Sequence, residues 1–372
     1  MNGVHLPRLA VVGVGRLGSI HARLWNNERA ARLTALYDID NARAEEVARE
    51  LTASAPLAAD HASPRVVASL DEAFACADAV TIASPSSTHY KIALAALRAG
   101  KHCFIEKPAA TSLAECDSLS EEAQKQGVVV HVGHVERFNP ALLHLQPYSC
   151  KPLFIEAHRL AQFKPRALDV SVILDLMIHD IDLALWLARS PVAEIRANGV
   201  AALTAEPDIA NARLQFENGC VANLTASRIS ATTMRKMRIF EPNAYRSLDF
   251  ASGAAEIFHI ADGEEPPATS EGTTIVPAVM LGDIEAGERR RSIWYERREK
   301  QEINAIVEEQ RAFLAALSSV SGENTPPNDL SDDEAHDEAQ RLARATTLAE
   351  AAAALRVAEE ISRIIAAQTR KS

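Results

Sequence analysis

Along the first third of the chain, short β-branched runs alternate with stretches of helical period. Apolar runs at 9–12, 33–37, 79–83, 102–105 and 128–132 predict strands; periodic stretches at 17–26, 42–51, 90–99 and 113–126 predict helices. Strict alternation of this kind implies a parallel sheet with helices on both faces. Beyond residue 135 the period shortens to two. Ala210, Ala212, Leu214 and Phe216 share one face of a strand at 209–216, and Cys220, Ala222, Leu224 and Ala226 share the matching face of 220–227. Glu217-Asn218-Gly219 between them reads as a hairpin turn. Runs at 236–240, 245–250 and 256–260 extend a mostly antiparallel sheet with one face buried and the other open.

Length sharpens this into two domains, since 372 residues exceed what one core of about 100–200 residues usually serves. The boundary is expected near residue 135, giving domains at 1–135 and 136–372. An Ala-rich closing helix at 348–368 is placed to pack back on the first domain. Segments 262–287 and 322–347 read as insertions; six acids crowd into 329–338. The formal charge of 39 − 50 = −11 disfavours nucleic acid or an anionic membrane as partner. The basic run at 288–300 around Trp294 and Tyr295 is interleaved with acids and reads as a charged strand. Five scattered cysteines, with no CxxC, argue for free thiols in a reducing compartment. No leader-like start and no apolar run of about 18 residues is present, so a cytoplasmic protein is expected.

The chemistry begins at Gly13-Val14-Gly15-Arg16-Leu17-Gly18, a G-x-G-x-x-G run after a strand and opening a helix. Gly13 suits the tight turn, Gly15 a close approach of pyrophosphate, and Gly18 the packing of helix on strand. Phosphates would rest on the N–H groups where the helix opens at Arg16 and Leu17. Asp38, twenty residues after Gly18, ends the next strand where a carboxylate accepts from ribose hydroxyls and repels a 2′-phosphate. NAD is therefore the expected cofactor, on a Rossmann domain. Glu106-Lys107-Pro108 ends a parallel strand at the edge that binds ligands. In the helix predicted over 172–182, Asp175, His179 and Asp182 fall at i, i+4 and i+7 on one face. That stripe is compatible with an oriented general base, a solvated charged face, or metal ligands.

Taken together and in this order, these segments, with Ser84-Pro85-Ser86-Ser87-Thr88-His89, resemble the Gfo/Idh/MocA family of oxidoreductases over nearly the whole chain. The resemblance implies an N-terminal Rossmann domain, a C-terminal domain with an open, mostly antiparallel β-sheet, and dimers or tetramers packed through that sheet. By position it makes Lys107, Asp175 and His179 catalytic, with no metal. Ser84, Pro85, His89, Glu106 and Lys107 would lie at the nicotinamide end of the cofactor, and either His179 or Lys107 would be the base. Gly133 to Pro140, Leu174 to Asp182, and Thr225 to Arg228 followed by Met234 to Lys236 further resemble a branch that oxidises the C3 hydroxyl of UDP-N-acetylglucosamine. Its keto product goes to a partner aminotransferase, for the 3-amino sugars of lipid A. On that reading Arg137, Asn139, Arg159, Arg166 and Arg235 bind substrate, from a basic supply that includes Arg228, Lys236 and Arg238. A free sugar or polyol dehydrogenase of the inositol or glucose type is the nearest alternative, and a non-catalytic dinucleotide-binding regulator the next.

Overall fold

The computed structural model describes residues 6–54, 63–145, 150–163, 171–262, 278–286, 289–320 and 339–369. Two compact units are present: residues up to Val135 with Ile306–Ala352, and Glu136–Ala305 with Ala353 onward.

In the first unit β1 (Arg8–Val12), α1 (Arg16–Asn27), β2 (Arg32–Tyr37), α2 (Asn41–Ser54), β3 (Arg65–Val66), α3 (Leu70–Ala75), β4 (Ala79–Ile82), α4 (Ser86–Arg98), β5 (His102–Glu106), α5 (Leu113–Gln126) and β6 (Val130–Gly133) follow one another. The strands pair in parallel in the order β3-β2-β1-β4-β5-β6. Strand order therefore reverses between β1 and β4, which opens a crevice at their carboxyl ends. Leu9 to Val12 and Ala79 to Ile82 are buried throughout, as strands covered on both faces require. Ser69 and Ser112 cap α3 and α5 by accepting from the backbone three residues on, and Gly127 closes α5 at φ 65°.

The second unit opens with a 3-10 turn (Val135–Phe138) and α6 (Pro140–Leu143), then β7 (Phe154–Leu160). A π-helical turn (Ile173–Met177) runs into α7 (Ile178–Ala188). The strands β8 (Val192–Val200), β9 (Ile209–Phe216), β10 (Val221–Ser227), β11 (Met234–Glu241), β12 (Ala244–Asp249), β13 (Ala254–Asp262), β14 (Val279–Ala286) and β15 (Arg289–Arg298) follow. They form one sheet, β14-β15-β13-β12-β11-β7-β10-β9-β8, antiparallel except where β7 meets β10. The expected hairpin has the expected register: Leu214 faces Ala222, Ala212 faces Leu224 and Ala210 faces Ala226, all buried, with Gly219 at φ 88° in the turn. One face packs on Ile181 and Ala184 of α7 and on Ala354, Ala358 and Ile361 of the closing helix (Leu348–Thr369). The other carries a ladder of aromatic rings, Phe154, Phe240, Tyr245, Phe258 and Tyr295, with neighbouring centroids 4.9–5.8 Å apart.

Two assignments change. Residues 306–352, read as part of the second domain, group with the first unit. There Phe313, Leu314 and Leu317 of α8 (Ala305–Val320) pack into the core with Leu9, Trp25 and Phe104, and Thr347 bridges to His131 beside β6. The closing helix goes the other way: from Ala353 it belongs with the second unit, where Gly199 of β8 leaves room for Ile365. Of the expected insertion 262–287, residues 279–286 form β14 paired with β15. The acidic run at 329–338 lies outside the described residues. No helix among the described residues is long and apolar enough to cross a membrane.

Phe313 is fully buried against Phe104 and His131. Phe313→Ala is expected to cost about 3–5 kcal/mol, read as a lower denaturant midpoint for the first unit.

Candidate functional site

The glycine turn after β1 is built by steric necessity. Gly13 sits at φ 83°, and a Cβ there would meet the Ser84 nitrogen at 2.6 Å; at Gly18 it would meet the Gly13 carbonyl oxygen at 1.7 Å. Gly15 faces open space, with nothing within 4 Å of an added Cβ, and begins α1 without a side-chain cap. The leading N–H groups of α1, from Arg16 and Leu17 on, are thus offered to an anion. Asp38 stands at the end of β2, accepting from the Val14 N–H at 2.7 Å and the Asp40 N–H at 2.9 Å. Open ground over Gly15, an uncapped helix start and a carboxylate at the neighbouring strand end fit a dinucleotide with free ribose hydroxyls.

Past β4, the Ser84 hydroxyl lies 2.7 Å from that of Thr88, which also bonds the Pro85 carbonyl. His89 lies between this turn and the one after β5. It is buried, with its ring nitrogens 2.7 Å from the Ser84 carbonyl and 2.8 Å from the Pro108 carbonyl. Its ring is committed to backbone, so it braces the Ser84 turn against the Lys107–Pro108 turn, whose peptide bond is cis. Glu106, at the end of β5, meets His21 Nε2 of α1 at 2.7 Å, and Gln310 of α8 lies on the far side of that ring at 3.0 Å. Neither His21 nor Gln310 is evident from sequence, because 289 residues separate them and no local pattern joins them.

In the second unit the helix expected over 172–182 begins as a π turn, where the Ile178 N–H reaches the Ile173 carbonyl. Asp175 and His179 are half-buried. Asp182 leaves their stripe: it is buried in a two-pronged pair with Arg137, Nε to Oδ2 at 2.9 Å and Nη2 to Oδ1 at 2.7 Å. Its neighbour Asp180 is gripped the same way by Arg159 of β7 at 3.0 and 2.8 Å, and Arg159 also donates to Glu136 at 2.7 Å. Burial pushes the Asp180 carboxyl up, against the pull of Arg159. For Arg159 burial works the other way, and Asp180 and Glu136 overcome it, holding the guanidinium above its ordinary value.

These pairs occupy two of the arginines expected to bind substrate: Arg137 and Arg159 are both buried in ion pairs. Asn139 is used internally too: Oδ1 caps α6 at Ala141, and Nδ2 donates to Glu136 and the Phe250 carbonyl. Arg166 lies outside the described residues. Arg235 is exposed on β11 directly across from Arg159, hence on the helix-covered face. Lys236 and Arg238 alternate to the other face, beside Asp249 and Glu156. In the basic run, Arg290, Arg291, Arg297 and Arg298 pair with Asp283, Asp262, Glu299 and Glu296. All five cysteines are unbridged, and burial pushes the Cys103 thiol up. Among the described residues no three His, Cys, Asp or Glu side chains gather as metal ligands.

A Rossmann unit with this turn and acid, joined to a large antiparallel sheet, defines an NAD-binding oxidoreductase of two-domain type. Residues 7–134 match the oxidoreductase family with an NAD-binding Rossmann fold, and 147–241 match the GFO/IDH/MocA C-terminal domain. The chain belongs to the Gfo/Idh/MocA family, with NAD as its cofactor. It is 41% identical to a UDP-N-acetylglucosamine 3-dehydrogenase of Acidithiobacillus ferrooxidans, across 71% of this chain and 80% of that one. A solved structure of UDP-N-acetylglucosamine 3-dehydrogenase from the same organism superposes with a TM-score of 0.77, at 33% identity, covering 98% of this chain and 99% of that one. Identity to scyllo-inositol 2-dehydrogenase (NAD(+)) of Bacillus subtilis is 31%, across 61% of this chain and 68% of that one.

Arg137 packs its guanidinium 5.9 Å from the Trp186 ring. Arg137→Met strands a buried carboxylate and should cost about 3–5 kcal/mol, whereas Arg137→Met with Asp182→Leu should restore most of it. Urea unfolding followed by tryptophan fluorescence measures both.

Proposed function

We propose that this protein oxidises the C3 hydroxyl of UDP-N-acetylglucosamine with NAD, giving the 3-keto nucleotide sugar. The observation that carries this reading is 41% identity to a UDP-N-acetylglucosamine 3-dehydrogenase across 80% of that protein, against 31% to an inositol dehydrogenase. Bound NAD supplies the hydride acceptor. The hydroxyl proton must leave as the C–H bond breaks, so the chain has to provide a base at the oxygen and a donor for its growing negative charge. His179 takes the proton, with Asp175 four residues before it to orient the ring, and Lys107 donates to the reacting oxygen. Gly13, Gly15, Gly18 and the start of α1 hold the pyrophosphate, Asp38 a ribose, and Ser84, Pro85 and Glu106 the nicotinamide end. Arg235 meets the sugar diphosphate. The ketone is then a substrate for a partner aminotransferase, consistent with 3-amino sugars of lipid A, in a cytoplasmic homo-oligomer packed through the aromatic sheet face.

The test is incubation with NAD and UDP-N-acetylglucosamine, following NADH absorbance with hydroxylamine to trap the ketone and mass spectrometry to identify it. Turnover of inositol or free sugars, and none of the nucleotide sugar, would assign the chain to polyol oxidation instead. Lys107→Ala should lower kcat by about 10²–10³-fold. Unchanged cofactor-dependent behaviour in that variant would point to a non-catalytic regulator.

A further inference from the structure

The Glu106 carboxylate is held by a relay that reaches it from two distant parts of the chain. Gln310 Nε2 lies 3.0 Å from His21 Nδ1 and 3.4 Å from the His21 carbonyl oxygen. An atom facing a carbonyl must be the amide nitrogen, so Gln310 is a donor to Nδ1 as well. That fixes the tautomer: Nδ1 accepts, the ring proton sits on Nε2, and Nε2–H donates to Glu106 Oε1 at 2.7 Å. The His21 ring is fully buried and stands edge-on to Phe104, at 5.1 Å between centroids, so it has little freedom to turn.

On its other side the carboxylate lies over Gly133, its partner in the β5–β6 register. A Cβ there would come within 3.0 Å of Oε2. Among the described residues Oε2 takes no hydrogen bond, although the Glu106 side chain is only 13% exposed. One oxygen is therefore spent on fixing direction. The other is left as an acceptor at the carboxyl end of β5, beside Lys107, on the edge of the sheet where α/β folds bind ligands.

We propose that His21, locked by Gln310, is a positioning residue for the cofactor: it aims Glu106 Oε2 at a hydroxyl or amide donor on the nicotinamide-ribose half of NAD. This rests on Glu106 lying at that end of the cofactor, and not on the identity of the sugar. It also gives the return of α8 to the first unit a purpose, since Gln310 reaches His21 only from there.

The test is NADH binding by the full chain, read from NADH fluorescence and needing no sugar. His21→Phe keeps a ring against Phe104 and removes the donor; it should weaken NADH binding about ten-fold, or about 1.4 kcal/mol. His21→Gln, which returns an N–H near the position of Nε2, should recover to within about three-fold of the parent. Gln310→Met should lose about three-fold by freeing the tautomer. In a Glu106→Ala background each of these changes should have less than about two-fold effect, because the group through which they act is gone. Parent-like NADH affinity in folded His21→Phe, or losses that simply multiply with Glu106→Ala, would overturn the proposal. If His21→Phe does not fold, the Gln310→Met and Glu106→Ala cycle decides by the same criterion. A chain that shows this coupling yet ignores UDP-N-acetylglucosamine would lose only the sugar assignment.

Discussion

Two buried carboxylates, Asp180 and Asp182, are the constraint around which the second unit is arranged. A carboxylate removed from water without a cation costs several kcal/mol, so each must be met with good geometry. Arg159 reaches Asp180 from the sheet, and Arg137 reaches Asp182 from the 3-10 turn, both through two parallel N–H···O bonds. The helix between them can neither slide nor rotate by a residue without burying unpaired charge. His179 sits immediately before Asp180 on that helix and inherits its position. Such pairs contribute little net stability compared with apolar packing. What they contribute here is a fixed register for the stretch that carries Asp175 and His179.

The first unit reaches the same end by different means. The central strands of its sheet are buried on both faces and the glycine turn at its ligand edge offers backbone N–H groups, so part of its precision comes from positions where a side chain is impossible. Gly13 and Gly18 bring α1 against the turn with no space for a Cβ, and His89 ties the Ser84 turn to Pro108 through carbonyls alone. A site assembled from backbone amides and braced turns changes little when surface residues change. That accounts for a glycine motif that is readable from a single sequence.

What was legible follows from range. The hairpin of β9 and β10, its register and its buried face are written in a two-residue period within nineteen residues, 209–227, and the structure repeats them. The glycine turn and Asp38 are likewise encoded within one strand–helix–strand unit. Which arginines are buried in ion pairs was not legible, because Arg137, Arg159 and Arg235 are alike until their partners are known. Those partners stand 45 residues from Arg137 and 21 from Arg159. The stripe of Asp175, His179 and Asp182 assumed an unbroken 3.6-residue period; the π turn at Ile173–Met177 interrupts it, and Arg137 draws Asp182 inward. The placement of α8 failed for a related reason, since its apolar face is as suitable for one core as for another.

Charge pairing also changes what a net charge of −11 means for an anionic substrate. An arginine neutralised in place adds little to the potential a diphosphate feels, however close it lies. Arg137 and Arg159 are neutralised in that way, and strand alternation carries Lys236 and Arg238 to the opposite face, beside acids of their own. Arg235 differs from all four. It shares a face with Arg159 and is exposed, and its pull on the Asp180 carboxyl is smaller than that of Arg159. The sheet register thus divides the cations of this unit between internal pairing and open surface, placing the buried Arg159 and the exposed Arg235 side by side on one face.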